Sequence, residues 1–248
     1  MDIKSSKPPV TTGIPWQAVI RFLITAIFAL AVLFLSAGHL QWWEGWAYTG
    51  MTLLVLVLSR SLILLKNPDM ARERAEAGQK KDVKAWDKII VPLIAVYGPL
   101  VSWIIAGLDE RFSWTPDLPD YIQIIALGVM FLGNMIATWA MVVNRFFSSH
   151  VRIQADRGHT VVSAGPYQVV RHPGYAGGIL AWIAAPVFFS SYWVVIPSIV
   201  VITLTIIRTA LEDRMLQEEL LWLIRHTIPP KTWDRQVRDS LKDRLIWS

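Results

Sequence analysis

Six runs of apolar residues dominate this chain, and polar or charged residues separate them. The runs cover residues 17–38, 45–65, 89–107, 121–143, 175–190 and 192–207. A helix needs about 20 apolar residues to cross a bilayer, and lipid cannot satisfy the hydrogen bonds of irregular backbone. The pattern therefore predicts an all-α, polytopic membrane helix bundle. The last two runs are short and are joined by the turn Ser190-Ser191-Tyr192, so we expect five to six transmembrane helices.

The positions of Lys and Arg predict the orientation of the bundle. Loop 66–88 carries seven basic residues and loop 144–174 carries four, whereas loop 108–120 carries four acidic residues and one Arg. Basic loops remain on the cytoplasmic side of a membrane. We therefore expect these two basic loops and both termini in the cytoplasm. The net charge of +5 is explained by this topology, so it does not indicate a nucleic-acid partner.

The same pattern predicts one domain over residues 1–248. Residues 1–16 form a cytoplasmic segment, residues 17–207 the membrane helices and their loops, and residues 208–248 a cytoplasmic helix and tail. The first apolar run is too long for the core of a signal peptide, so we interpret it as a retained anchor. No segment indicates an obligate protein partner.

The residues that several common classes of enzyme require are absent from this sequence. The chain has no cysteine, and its five histidines are scattered without the spacing of metal ligands, so no metal site is predicted. It contains no G-x-G-x-x-G after a strand, no Walker loop, no H-E-x-x-H and no G-x-S-x-G. The sequence thus argues against a conventional nucleotide fold, a zinc hydrolase and a serine hydrolase.

The stretch GPYQVVRHPGYAGG, residues 165–178, places polar chemistry at the start of an apolar helix. Pro173 suits the first turn of that helix, whose free N–H groups favour an anion. Arg171 and His172 add donors, while Tyr167 and Tyr175 offer aromatic faces that attract cations by roughly 0.5–2 kcal/mol. Such a site suits a zwitterionic ligand.

A purely structural interpretation of this stretch stays open. Gly174 and Gly178 form a G-x-x-x-G pattern, which often indicates only close helix packing. Arg171 then anchors the chain at the inner interface, and Tyr175 is an interfacial aromatic residue.

A second polar cluster, RTALEDRMLQEEL at residues 208–220, follows the last apolar run. The preceding hairpin is short, so Glu212 and Asp213 should return to the membrane face that holds residues 165–174. They can then reach a ligand held there. The alternative is an ordinary solvated helix, in which Arg208 pairs with Glu212 and Arg214 with Glu218 at i,i+4.

Together these two stretches resemble the isoprenylcysteine carboxyl methyltransferase and phospholipid methyltransferase family of integral membrane enzymes. The segments NRFFSSHVRIQADRGHTVVSAGPY (144–167) and NPDMARERAEAGQKKDVKAWDK (67–88) are similar to bacterial members. The resemblance covers about residues 60–220. It implies an enzyme of the bacterial inner membrane that uses S-adenosylmethionine, a zwitterion with a sulfonium cation.

The resemblance also implies roles for particular residues. His172, Pro173, Tyr175 and Gly177 would line the cofactor site on the cytoplasmic side, with Tyr167 beside them. Glu212 and Asp213 would close it, although the family usually has a glutamate where this chain has the shorter Asp213. After Leu220 the sequence LWLIRHTIPPKTWDRQVRDSLKDRLIWS departs from the Tyr-rich, basic segment that members of the family commonly have.

The predicted reaction is methyl transfer to a lipophilic acceptor at the inner leaflet. The acceptor is the carboxylate of a prenylcysteine or another lipid acid, or a phospholipid amine. Glu212, His172 and Arg171 are the catalytic candidates, and Glu212 would serve as base for an amine or hydroxyl. Two alternatives stay open: an NADPH-dependent membrane reductase of the sterol-reductase type, and a non-catalytic membrane scaffold.

Overall fold

The computed structural model describes residues 16–67, 84–144, 147 and 162–227, and these residues contain six helices and no strand. The helices are α1 Trp16–Ala37, α2 Trp43–Lys66, α3 Ala85–Phe112, α4 Asp120–Val143, α5 Pro173–Phe188 and α6 Val195–Thr227. A 3-10 turn, Gly165–Gln168, precedes α5. The predicted all-α bundle is thereby confirmed. Most of loop 66–88, most of loop 144–174 and the tail after residue 227 lie outside the described residues.

Four helices are long and apolar enough to cross a membrane: α2, α3, α4 and the segment Val195–Leu216 of α6. The segment Ala26–Ala37 of α1 and the whole of α5 are apolar but shorter. Many large apolar side chains are exposed on the bundle, which is the arrangement expected where helices face lipid. The chain is thus an integral membrane protein. Among the described residues, four helices thus meet the length and composition of a membrane span, and two shorter apolar segments accompany them; the sequence prediction of five to six spans stays a prediction.

The helix α3 contains a π-helical segment, Leu93–Tyr97, directly after Pro92. Proline has no N–H to donate to the preceding turn, and its ring crowds the carbonyl four residues earlier. A π-turn absorbs this disturbance without ending the helix. As a result α3 continues unbroken from its polar first turn, which holds Asp87, into the membrane-spanning part.

The helices α4 and α5 form the closest pairing in the bundle, and two glycines make it possible. A Cβ added at Gly133 would collide with the carbonyl oxygen of Gly177, and one added at Gly177 would collide with the carbonyl oxygen of Gly133. In contrast, nothing lies within 4 Å of a Cβ at Gly178, and a Cβ at Gly174 would meet the ring of Phe147. The helix contact therefore uses Gly177 rather than the G-x-x-x-G pair of Gly174 and Gly178.

A polar network fixes the hairpin between α5 and α6, at the end of the bundle opposite the start of α5. The buried carboxylate of Asp109 accepts 2.8 Å hydrogen bonds from the backbone N–H and the hydroxyl of Thr115. The hydroxyl of Ser191, in the hairpin turn, also donates to Asp109. With the turn held in this way, α6 returns alongside α5. The middle of α6, at Glu212 and Asp213, therefore reaches the level at which α5 begins.

Candidate functional site

Two hydrogen bonds join the start of α5 to α6. His172 Nε2 lies 2.7 Å from Asp213 Oδ1, and Tyr175 Oη donates to Glu212 Oε2 at 2.6 Å. Because a carboxylate only accepts, the imidazole Nε2 is the donor in the first bond. Each bond uses one oxygen of its carboxylate, and no hydrogen bond to the other oxygen is seen within the part of the chain that the structure describes. The structure thus brings together four residues that the sequence placed in one site.

Aromatic and cationic groups stack on one another around these bonds. The rings of His172 and Tyr175 are stacked with centroids 5.5 Å apart and an angle of 16° between their planes. The guanidinium of Arg208 lies over the Tyr175 ring, with Cζ 5.4 Å from its centroid. Arg208 Nε in turn donates to Asp87 Oδ1 at 2.8 Å. We refer to these six residues, His172, Tyr175, Arg208, Glu212, Asp213 and Asp87, as the α5–α6 cluster.

The two sides of the α5–α6 cluster differ in their access to solvent. Asp87 is fully buried and the side chain of Arg208 is 13% exposed, so this ion pair is shielded from solvent. The side chains of His172 and Asp213 are 21% and 34% exposed. A polar ligand can therefore approach the carboxylate of Asp213 from outside, while the rings and the buried ion pair lie behind it.

The N-terminus of α5 adds hydrogen-bond donors to the α5–α6 cluster. His172 is the N-cap residue, and its side chain makes no capping bond. Pro173 occupies the first helical position and is fully buried. The backbone N–H groups of Gly174 and Tyr175 lie in the first turn, where a helix offers no acceptor of its own. These groups and the helix dipole favour an anion beside the cluster.

The remaining predicted site residues lie outside these contacts. The hydroxyl of Tyr167 accepts from Asn144 at 3.3 Å and lies 3.4 Å from the carbonyl of Ala140, so it ties the 3-10 turn to the end of α4. Arg171 is exposed in the turn before α5. Gly177 is buried in the contact with α4.

Tyr167 acts as a neutral hydrogen-bonding group. Burial raises the pKa of its hydroxyl, and the negative charge of Glu212 raises that pKa further, against a hydrogen bond from Asn144 that lowers it. The phenol therefore keeps its proton at neutral pH.

The sequence interpretation missed Asp87 as a hydrogen-bond partner of Arg208. It paired Arg208 with Glu212 at i,i+4, but Arg208 bonds to Asp87, which lies 121 positions earlier in the chain. One signal was available, since Asp87 is an isolated carboxylate at the start of an apolar run. A buried charge at the end of a membrane helix requires a partner of opposite charge. Arg208 is such a charge, because it directly follows the last apolar run, as Asp87 directly precedes the third.

A protein family matches the part of the chain that contains most of the α5–α6 cluster. The model of the isoprenylcysteine carboxyl methyltransferase (ICMT) family matches residues 124–219, from within α4 to within α6. Over these residues the chain is similar to the isoprenylcysteine carboxyl methyltransferase family. The match contains every residue of the cluster except Asp87. The resemblance that the sequence suggested for residues 60–123 lies outside the matched range.

Two curated proteins are similar to part of the chain. Both are named "Probable protein-S-isoprenylcysteine O-methyltransferase", one from Oryza sativa subsp. indica and one from Oryza sativa subsp. japonica. Each is 33% identical over 70 residues, which are 27% of this chain and 36% of the relative. The match thus spans about a third of the length of these relatives.

Proposed function

We propose that this protein transfers a methyl group from S-adenosylmethionine to a lipophilic acceptor at the inner leaflet of the bacterial cytoplasmic membrane. The observation that carries the proposal is the double contact of His172 with Asp213 and of Tyr175 with Glu212. It joins the opening of α5 to α6 inside the segment that matches the ICMT family. When bound, S-adenosylmethionine would supply a methyl group on a positively charged sulfur: a lone pair of the acceptor would bond to the methyl carbon as its bond to sulfur breaks, and neutral S-adenosylhomocysteine would leave.

The residues of the α5–α6 cluster fit the charges of this cofactor. The carboxylates of Glu212 and Asp213 each have an oxygen that can accept from its ammonium or hydroxyl groups. The open N–H groups of α5 suit its carboxylate. The stacked rings of His172 and Tyr175 present aromatic surface to its sulfonium and adenine, and such faces attract cations.

The chain contributes alignment and exclusion of water rather than covalent chemistry. Tyr175 holds Glu212, and the buried pair of Arg208 and Asp87 holds the ring of Tyr175. Holding two reactants in the reactive geometry can contribute about 7–11 kcal/mol to a displacement. A carboxylate acceptor needs no base, whereas an amine or hydroxyl acceptor needs one, and Glu212 is then that base.

The carboxylate of a prenylcysteine is our first candidate for the acceptor. The names of the two relatives specify such a substrate for those proteins, and the family match includes most of the α5–α6 cluster. Another lipid acid and a phospholipid amine are the other candidates. An acceptor of this kind is dissolved in the bilayer, so it enters between the helices rather than from the cytosol.

The test is transfer of tritiated methyl from S-adenosylmethionine to the lipid extract of membranes that contain the full-length protein. Glu212→Gln and His172→Ala should lower incorporation at least tenfold. Glu218→Gln, which changes an exposed glutamate of the same helix, is the matched control and should retain incorporation. Equal incorporation in all four proteins, or none above membranes without the protein, would remove the assignment.

The two alternative functions predict different ligands for the same protein. A reductase should be stabilised against heat by NADPH, and a scaffold by neither NADPH nor S-adenosylhomocysteine. The buried carboxylate of Asp87 already balances the charge of Arg208, which disfavours this arginine as a phosphate ligand. Thermal unfolding of the purified protein should therefore shift upward with S-adenosylhomocysteine and not with NADPH.

A further inference from the structure

Asp87 belongs to the α5–α6 cluster but lies on α3, outside the segment that matches the ICMT family. Its carboxylate is fully buried and accepts from Nε of Arg208 at 2.8 Å. Arg208 is also largely buried, and salt screens buried charges much less than exposed ones. The charge of Arg208 is therefore balanced within the protein by Asp87 rather than by solvent.

Arg208 lies where its charge acts on the proposed donor site. Its guanidinium Cζ is 5.4 Å from the centroid of the Tyr175 ring, and the hydroxyl of the same ring donates to Glu212. Arg208 and Glu212 are also four positions apart on α6, so their side chains lie on the same side of that helix. Without Asp87, the positive charge of Arg208 would therefore offset the negative charge of Glu212.

Glu212 and Asp213 differ in the partners that they bond. Glu212 accepts from the phenol of Tyr175, which is neutral at pH 7, so this bond leaves the negative charge of Glu212 in place. Asp213 bonds to the imidazole of His172, which carries a positive charge whenever it is protonated. Glu212 thus supplies the cluster with a negative charge whose strength depends on how Arg208 is balanced.

The methyl donor and its product differ by one unit of charge. S-adenosylmethionine carries a sulfonium, an ammonium and a carboxylate, whereas S-adenosylhomocysteine has a neutral sulfur in place of the sulfonium. A negative charge on Glu212 favours the donor relative to the product, and a positive charge on Arg208 has the opposite effect. The ratio of the two affinities therefore measures the net charge that the site presents to the sulfur.

We propose that Asp87 is a positioning residue of the donor site: by balancing Arg208, it leaves the charge of Glu212 to favour the cationic donor relative to the neutral product. This inference rests on the proposed function, because it concerns the ligand of the α5–α6 cluster. It adds to that site a residue of α3 that the family match does not include. Asp87 acts through Arg208 and needs no contact with the ligand.

The test is the ratio of the affinities for S-adenosylmethionine and S-adenosylhomocysteine, measured by equilibrium dialysis of each tritiated ligand against the purified full-length protein. Asp87→Asn keeps the size of the side chain and an oxygen that can accept from Arg208, but it removes the negative charge. The donor-to-product affinity ratio should fall about tenfold relative to wild type. A merely structural role would weaken both ligands alike, so an unchanged ratio would overturn the proposal.

Two further variants make the test specific. The double variant Asp87→Asn, Arg208→Gln removes both charges of the pair and should restore the wild-type ratio. Glu218→Gln removes an exposed negative charge of α6 and should leave the ratio unchanged. If Asp87→Asn does not fold and binds neither ligand, the double variant decides, and a ratio different from wild type there would overturn the proposal.

The same measurement separates this proposal from the proposed function. If wild type binds neither ligand, both are overturned. If wild type binds both ligands and Asp87→Asn keeps the wild-type ratio, the proposed function stands and the role of Asp87 does not.

Discussion

Tyr175 Oη donates a 2.6 Å hydrogen bond to Glu212 Oε2, and this bond connects the first turn of α5 with α6 across 37 positions of sequence. The same tyrosine ring contacts both the imidazole of His172 and the guanidinium of Arg208. Tyr175 is therefore the residue through which the two halves of the α5–α6 cluster contact each other. Its ring and its hydroxyl have different partners, so the two contributions can be separated by mutation.

Tyr175→Phe should weaken binding of S-adenosylhomocysteine about tenfold while leaving the protein folded. The substitution keeps the ring and removes only the bond that orients Glu212, and hydrogen bonds to charged groups contribute about 1.5–3 kcal/mol. The measurement is the concentration of S-adenosylhomocysteine that half-saturates the thermal shift. Tyr192→Phe, an exposed tyrosine at the opposite end of α5, is the control. Equal effects of the two substitutions would contradict a role for the Tyr175 hydroxyl.

Asp87→Ala should destabilise the protein by about 3–5 kcal/mol, because it leaves the buried charge of Arg208 without a counterion. The unfolding midpoint in detergent should fall accordingly. The exposed pair of Arg214 and Glu218 provides the comparison, and Glu218→Gln should cost less than about 1 kcal/mol. The double variant Asp87→Ala, Arg208→Leu should recover part of the loss. A single Asp87→Ala variant as stable as wild type would show that the pair does not hold α3 to α6.

Gly177→Ala should destabilise the bundle by about 1–3 kcal/mol, since its new Cβ would collide with the backbone of α4. Gly133→Ala should have a similar effect from the other side of the same contact. Gly178→Ala is the matched control, because a Cβ there meets nothing within 4 Å and alanine favours helix. Thermal unfolding of the three variants measures their relative stabilities. If Gly178→Ala destabilised the protein as much as Gly177→Ala, the packing of α4 against α5 at Gly177 would be contradicted.

The stability of the wild-type protein should fall more steeply above pH 10 than that of Tyr167→Phe. Burial raises the pKa of Tyr167 in the folded protein above 10, whereas in the unfolded chain the phenol ionises near its ordinary value. The stabilising contribution is complete below pH 10 and is lost as the pH rises towards the folded-state pKa, because the unfolded state then binds fewer protons. The unfolding midpoints of the two proteins at pH 8 and pH 11 measure this loss of stability. Parallel curves for the two proteins would show that Tyr167 is not buried.

The positions of the helices could be read from the sequence because lipid imposes a simple rule on composition. The run at 121–143 corresponds to α4 almost residue for residue, and the run at 45–65 corresponds to α2. The polar stretch after residue 207 continues the last helix, so α6 extends to Thr227. The run at 89–107 gives only the apolar centre of α3, because helical backbone extends beyond the apolar residues into polar turns at both ends.

Contacts between distant segments could be predicted only in part. The sequence placed Glu212 and Asp213 near His172 through the short hairpin, and the structure gives the individual bonds. Local spacing suggested Glu212 as the partner of Arg208, since the two residues are four positions apart on one helix. The hydrogen-bond partner is Asp87 on α3, and the sequence does not show that α3 and α6 bring these two residues together. The same limit applies to Gly177, whose partner depends on how α4 and α5 rotate about their axes.

Asn134 shows why a space between the membrane helices could not be inferred from sequence. A polar residue in the middle of a membrane helix suggests a bond across helices. In the structure its amide bonds within its own helix, and its side chain faces a space left between four helices. The size of that space depends on the angles at which the helices pack, and a sequence pattern does not contain them.

The central claim is that the α5–α6 cluster binds the methyl donor, and equilibrium dialysis of tritiated S-adenosylmethionine against the purified full-length protein tests it most directly. Wild type and Glu218→Gln should bind the donor with equal affinity, and Glu212→Gln should bind it at least tenfold more weakly. Equal binding by all three proteins would place the donor elsewhere, and no binding by wild type would contradict the account.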